Sequence, residues 1–246
     1  MRAPDFGARA ARYDELRPVD ENWWELFDAL VRAGDLRGRR VLEVGCGTGT
    51  LATALAEQSR VWAVDSSPEM IDVARARNGG DRVGWRVADA TALPFRAGWF
   101  ERVVMRLVVH LVDRPRAFAE ALRVLVDDGR LVIATFDPAH FDRYWLNELF
   151  PSLERIDRAR FPTPEALESE LRAAGFARVE LTRLRQSAEI SRDAALEKVR
   201  GKHISTFDLI DDEEFEAGLA RAERELTDPV GYSLEWLIAV ATARAT

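Results

Sequence analysis

The 246 residues, 47% hydrophobic and 31% charged, suit a globular α/β chain with a sizeable core and exclude a disordered one. Thirty-five basic against 42 acidic residues give a net charge of −7, which argues against nucleic acid as the main partner. A single cysteine, Cys46, excludes an intrachain disulfide and a cysteine metal cluster, and no run reaches 18 apolar residues. The expectation is a cytoplasmic monomer or homodimer without membrane insertion or metal.

Residues 1–18 are polar and irregular and end in Tyr13-Asp14-Glu15-Leu16-Arg17-Pro18. Asp20 or Asn22 is placed to cap a helix reaching about Arg32, with Trp23, Trp24, Phe27, Leu30 and Val31 on its apolar side and Gly34 at its end. A strand over 40–44 leads into Gly45-Cys46-Gly47-Thr48-Gly49 and a helix over about 49–58, with Thr48 as its cap. Val61-Trp62-Ala63-Val64 is a second strand ending at Asp65, and Ser66-Ser67-Pro68 opens the next helix, with proline in its first turn. Strands follow over 83–87, 101–105 and 130–136, with a helix over about 114–126 ended by Asp127-Asp128-Gly129. This alternation predicts a parallel sheet with right-handed crossovers.

The pattern then changes. Residues 137–162 are rich in aromatics and predict short helices, and Thr163-Pro164-Glu165 opens a longer one ending at Gly175. Two apolar stretches, 177–190 and 234–243, lack a crossover between them and can pair antiparallel, with 192–228 as a charged helical excursion. No repeat or linker divides the chain, so a single domain over 1–246 is expected.

The glycine turn lies at the carboxyl end of a strand, where open α/β sheets bind ligands. Gly45, Gly47 and Gly49 form G-x-G-x-G, and the third place of the dinucleotide fingerprint holds Thr50. Asp65, ending the second strand, is placed to accept hydrogen bonds from a ribose diol. These features alone admit an NAD protein or an S-adenosylmethionine protein, although an acidic Glu43 inside the first strand is less expected for NAD.

Four pieces in order resemble the class I S-adenosylmethionine-dependent methyltransferases, particularly the ubiquinone/menaquinone-biosynthesis type and its small-molecule relatives. They are Val-Leu-Glu-Val-Gly-Cys-Gly-Thr-Gly at 41–49, Val-Trp-Ala-Val-Asp-Ser-Ser at 61–67, Ala-Asp-Ala-Thr-Ala-Leu-Pro-Phe at 88–95, and Arg-Val-Leu-Val-Asp-Asp-Gly-Arg-Leu at 123–131. The resemblance implies a Rossmann-like three-layer α/β/α sandwich. Its seven-stranded sheet would be mostly parallel with an antiparallel last strand. Covering helices over 1–35 would precede a cofactor core over 36–136, and insertions at about 137–162 and 192–228 would shape the substrate site.

The resemblance also implies roles. Gly45, Gly47 and Gly49, with Glu43 and Cys46 beside them, would let S-adenosyl-L-methionine lie on the backbone. Asp65 would hold its ribose hydroxyls, Asp89 its adenine amino group with Ala90 stacking nearby, and Met70 and Ser66 would lie over or beside the adenine. Tyr13 and Arg17 match the family's lead-in, where arginine meets the cofactor carboxylate. Arg106, counted among the cofactor-binding residues, replaces the small or polar residue usual after strand four, and either enters the pocket to bind an acidic group of cofactor or substrate or points to solvent. The product would be S-adenosyl-L-homocysteine, and the acceptor a small, partly apolar molecule. An oxygen or nitrogen acceptor that must lose a proton needs a base, for which His110 and Asp137 are the candidates. Two competing readings are a cofactor-binding protein without methyl transfer and an NAD-dependent oxidoreductase.

Overall fold

A computed structural model describes residue 4 and residues 6–244. Helix α1 (Glu21–Gly34) starts where Asp20 accepts from the Trp23 amide, and it buries Leu26, Phe27, Leu30 and Val31. Trp24, expected on the apolar side, is 49% exposed. The left-handed residue that ends α1 is Asp35, not Gly34. Gly34 is there for space: a Cβ on it would come within 2.7 Å of Val132.

The alternation expected from the sequence follows as β1 (Arg40–Val44), α2 (Thr50–Ala56), β2 (Arg60–Asp65), α3 (Pro68–Ala76), β3 (Val83–Val87), β4 (Phe100–Arg106), α4 (Arg114–Val124) and β5 (Leu125–Phe136). Strand β5 begins five residues earlier than expected. Asp127-Asp128-Gly129 is not a helix stop but part of the strand, where the pairing with β4 shifts register and Asp128 takes φ +57°. Beyond it come α5 (Leu153–Arg160), α6 (Pro164–Ala173), β6 (Arg178–Ile190), α7 (Arg192–Arg200), α8 (Asp212–Glu225) and β7 (Val230–Thr242).

Among the described residues the strands form one seven-stranded sheet, in the order β3-β2-β1-β4-β5-β7-β6. β1 to β5 run parallel, and β7 is antiparallel to both β5 and β6. The central strands are buried on both faces, which is why they read as continuous apolar runs. One core cluster packs α4 and α6 on one face, including Phe118, Ala121 and Leu171, and another packs α1, α2 and α3 on the opposite face, including Leu30, Leu55 and Ile71. The sandwich implied by the resemblance is therefore the fold.

A third apolar cluster lies outside the sheet layers. Leu146, Phe150 and Leu153 pack there against Leu196, Phe207 and Phe215, so the two segments beyond β5 share one small core. Gly218 permits this packing, since a Cβ on it would sit 2.1 Å from the Phe150 ring. Among the described residues no helix is long and apolar enough to cross a membrane.

Candidate functional site

The chain turns sharply at the end of β1. The amides of Gly45 and Cys46 both donate to the Val64 carbonyl, at 2.8 and 3.0 Å. Gly45, Gly47 and Gly49 all have positive φ, at +72°, +52° and +79°, where glycine is at no disadvantage. Their surroundings differ. A Cβ on Gly45 would fall 2.5 Å from Val108 and one on Gly49 2.4 Å from the Trp85 ring, whereas one on Gly47 would meet nothing within 4 Å. Gly45 and Gly47 line a cavity of about 470 Å³, while Gly49 stands behind it as the backbone cap of α2. Thr48, the expected cap, instead donates its hydroxyl to Asp14 at 2.6 Å.

Asp65 organises this loop. Its Oδ2 accepts from the Gly47 amide at 2.8 Å and its Oδ1 from the Ser67 amide at 2.9 Å. Ser67, not Ser66, caps α3 by accepting from the Met70 amide, which leaves Ser66 and Met70 on the cavity lining. Asp89 lies on the same wall beside Ala90, and both of its bonds, from the Thr91 amide and hydroxyl, fall on Oδ1. Those bonds hold its carboxyl below the usual range.

The floor of the cavity carries Glu43, Cys46 and Arg106. Burial pushes the Cys46 thiol well above its usual pKa, so it is a neutral filler rather than a nucleophile. Arg106 enters the pocket, where burial disfavours its charge, and no hydrogen-bond partner faces it among the described residues. Glu43 is 2% exposed and its Oε2 has no partner. Burial pushes its carboxyl from 4.5 up to about 8, with the charge of Arg106 opposing the rise.

A raised carboxyl pKa destabilises the folded state as pH rises. Between the unfolded and folded values the unfolded chain releases a proton that the folded chain keeps, so stability present at low pH is lost towards pH 8. Glu43→Gln removes that loss. The variant should melt with the parent at pH 5 and be more stable at pH 8, by on the order of 2 kcal/mol. Thermal melts across this range check it. A gap that does not widen would mean that Glu43 is ionised beside Arg106.

The segment before α1 closes the cavity. Tyr13 and Arg17 line it, with the guanidinium 4.0 Å from the Tyr13 ring centroid. Asp14 pairs with Arg77, whose Nε also donates to the Thr48 carbonyl at 2.9 Å. On the other side Arg9 pairs with Asp208, Arg17 donates to the His203 carbonyl, and Lys198 donates to the Leu16 carbonyl at 2.5 Å. The segment is thus clamped between α3 and the region around α7.

A second, smaller cavity of about 70 Å³ adjoins the first. Phe6, Tyr13, Arg17, Leu107 and Leu111 line both. Leu107 holds φ +52°, a conformation costing a non-glycine residue about 1–2 kcal/mol, at the head of the loop after β4. His110 is in this second cavity, stacked on Phe161 with ring centroids 4.0 Å apart. Burial and the charges of Arg160 and Arg17 push its pKa well below the usual histidine value.

His140 is buried on the same wall, with its pKa pushed down to about 4 by burial. Asp137 is elsewhere. Its Oδ1 accepts from the Ala139 amide at 3.0 Å and its Oδ2 from Arg183 at 2.7 Å, so it is a helix cap and an ion-pair partner, off both cavities. The sequence also gave no sign of Asp157, whose carboxylate accepts from the Thr206 hydroxyl at 2.6 Å and lies 3.5 Å from Arg160. Burial pushes its pKa up to about 6. Among the described residues no group of three or more histidine, cysteine or acidic side chains is placed to hold a metal.

The family described as a methyltransferase domain matches residues 42–133. The demethylmenaquinone methyltransferase of Clavibacter sepedonicus is 37% identical over 166 residues, 58% of this chain and 67% of that protein. The malonyl-(acyl-carrier protein) O-methyltransferase of Geobacter sulfurreducens is 35% identical over 192 residues, 72% of this chain and 70% of that protein. Among solved structures, phosphoethanolamine N-methyltransferase 2 of Haemonchus contortus, in complex with phosphomonomethylethanolamine and S-adenosylhomocysteine, superposes with a TM-score of 0.64 at 19% identity, covering 99% of this chain and 60% of that chain.

Proposed function

The chain belongs to the class I S-adenosylmethionine-dependent methyltransferases of the ubiquinone/menaquinone-biosynthesis type, and we propose that its acceptor is a small, partly apolar molecule received by the second cavity. The observation that carries this is the common wall: a group in the smaller space lies directly beside the larger one. The relatives and the solved structure are named for different acceptors, so the acceptor has to be read from this chain's own residues.

The larger cavity suits the cofactor in shape and chemistry. Gly47 turns backbone without a side chain into open space, and the unpartnered Glu43 oxygen awaits a donor. In this reading Asp65 holds the ribose diol, Asp89, Ala90, Ser66 and Met70 hold the adenine, and Arg17 holds the carboxylate. When bound, S-adenosylmethionine supplies a methyl group on a sulfonium, displaced in line by the acceptor's electron pair to leave S-adenosylhomocysteine.

The protein's own part is to align and to exclude water. Phe6, Tyr13, Leu107 and Leu111 make the junction largely apolar. His110 stays unprotonated at neutral pH, so its ring orients an acceptor hydroxyl by accepting a hydrogen bond and holds a transferred proton weakly. Asp137 has no part in this. The single domain of the sequence reading, with segments 137–162 and 192–228 shaping the acceptor side, is supported by their common apolar core. The net charge of −7 and the single cysteine favour a cytoplasmic enzyme that does not act on nucleic acid.

Calorimetric titration tests the cofactor assignment. S-adenosylhomocysteine should bind and NAD should not, and absence of S-adenosylhomocysteine binding at millimolar concentration would overturn the assignment. An acceptor panel with the methylated cofactor should release S-adenosylhomocysteine above the enzyme-free control. Binding without release across the panel would favour the reading in which the protein holds the cofactor for other work.

A further inference from the structure

The smaller cavity has a polar patch built from two distant stretches of chain. On α5, Asp157 and Arg160 are three positions apart and share a face, and the turn Ser205–Asp208 packs against that helix. Asp157 accepts from the Thr206 hydroxyl at 2.6 Å and lies 3.5 Å from the Arg160 guanidinium. Arg160 in turn donates to Ser205 at 2.9 Å and to Thr206 at 3.1 Å. Asp157, Ser205 and Thr206 are all buried, and all three line the smaller cavity and not the larger one.

These bonds leave one acceptor and one donor unused. Both contacts of Asp157 fall on Oδ1, and its Oδ2 accepts no hydrogen bond among the described residues. The Thr206 hydroxyl proton is taken up by Asp157. The Ser205 hydroxyl accepts from Arg160, and its own proton meets no acceptor among the described residues. Buried polar groups left unanswered are costly, so this pair fits a ligand that answers both. A hydroxyl is the smallest group that donates and accepts at once, and the cavity is only about 70 Å³.

Charge argues for a neutral group. Asp157 already has Arg160 as its counter-ion, and Arg17 lines the same cavity, so a cation would meet repulsion. A ligand carboxylate would face the Asp157 carboxylate, and a carbonyl or ether oxygen has no proton to offer it. The sides of the cavity are apolar rings. Phe136, Phe141 and Phe161 stand with centroids 5.0 to 6.4 Å apart, which suits a flat apolar body.

Resting on the methyltransferase reading of the site, we propose that the acceptor carries a hydroxyl on a flat apolar body, held in the smaller cavity between Asp157, which accepts from it, and Ser205, which donates to it. Neither residue is on the wall shared with the larger cavity, so this hydroxyl anchors the acceptor while another of its atoms meets the methyl group. Both residues also lie outside 42–133, the stretch that the methyltransferase domain family matches. Selection for a hydroxyl therefore belongs to the outer segments of this chain and not to the shared core.

The test uses the full chain saturated with S-adenosylhomocysteine at pH 8, above the value of about 6 to which burial raises Asp157. The probes are phenol with fluorobenzene and benzyl alcohol with toluene, each pair differing by the hydroxyl. Calorimetry should show at least one hydroxyl compound binding tenfold or more tightly than its partner, and more tightly than benzamide. Asp157→Asn keeps an oxygen towards Thr206 and Arg160 and turns its NH2 to the cavity. It should weaken that compound tenfold or more and strengthen acetophenone, which only accepts, threefold or more. Ser205→Ala should weaken the hydroxyl compound at least threefold. Neither side chain lines the larger cavity, so S-adenosylhomocysteine affinity should change less than threefold in both variants, which also shows that they fold. No preference for the hydroxyl in either pair overturns the proposal, as does tighter binding of benzamide. So does a preference undiminished in either folded variant, or a loss in Asp157→Asn without a gain for acetophenone, which would make Asp157 structural. Failure of S-adenosylhomocysteine to bind the parent chain is a different result and overturns the methyltransferase reading of the site instead.

Discussion

Asp65→Ala should weaken S-adenosylhomocysteine binding tenfold or more. Two losses combine. The carboxylate that would accept from the ribose diol is gone, and the amides of Gly47 and Ser67 lose their acceptors at 2.8 and 2.9 Å. An unanswered buried donor costs about 1–3 kcal/mol, and every 1.4 kcal/mol is a factor of ten in affinity. Asp65→Asn should fall between variant and parent. Its single carbonyl oxygen can replace one of the two carboxylate oxygens, and its amide group sets a donor against the other N–H. Calorimetry with S-adenosylhomocysteine measures both variants. Unchanged affinity in the alanine variant would take Asp65 out of the ribose assignment.

The second large effect is on folding. Gly49→Ala should destabilise the protein by about 2–5 kcal/mol, from about 1–2 kcal/mol for a left-handed alanine and about 1–3 kcal/mol for overpacking. At φ +79° the new methyl would press on the Trp85 ring at 2.4 Å and on Ala74 at 2.9 Å. Trp85 has little room to retreat, because its Nε1 donates to the Gly80 carbonyl at 2.7 Å. In a chain of this length such a loss lowers Tm by roughly 4–20 °C. Repeating the substitution in a Trp85→Leu background separates the two causes. The cost should shrink by at least about 1 kcal/mol if crowding contributes as the geometry demands. An equal cost in both backgrounds would assign the whole effect to the backbone.

The cofactor side was readable in the sequence because its chemistry is written locally. A strand, a bend and a helix start need particular residues within ten positions, and Gly45, Gly47 and Gly49 supply them. Errors arose where one local signal had two outlets. Thr48 is a good cap by composition, but left-handed Gly49 takes that place and frees the hydroxyl for Asp14. Asp127-Asp128-Gly129 carries turn chemistry, yet here it bends a strand that continues.

The acceptor side was mostly hidden. His110, Phe136, Asp157 and Thr206 come from four separate stretches and meet only because Phe150, Phe207 and Phe215 pack the outer segments together. No spacing rule connects them. Asp137 illustrates the reverse hazard: its place after β5 suggests a base, but its two oxygens are held by the Ala139 amide and Arg183.

The wall formed by Tyr13, Arg17, Leu107 and Leu111 has a thermodynamic corollary. Two ligands that press on the same side chains are not independent guests. Whatever factor the first contributes to the affinity of the second, the second returns to the first, since the cycle must close. The clamp that ties this wall to Arg77 on one flank and to Lys198 and Asp208 on the other extends that reciprocity beyond the cavities. A change near α7, far from the glycine turn, would thus register as a change in how tightly the nucleoside is held.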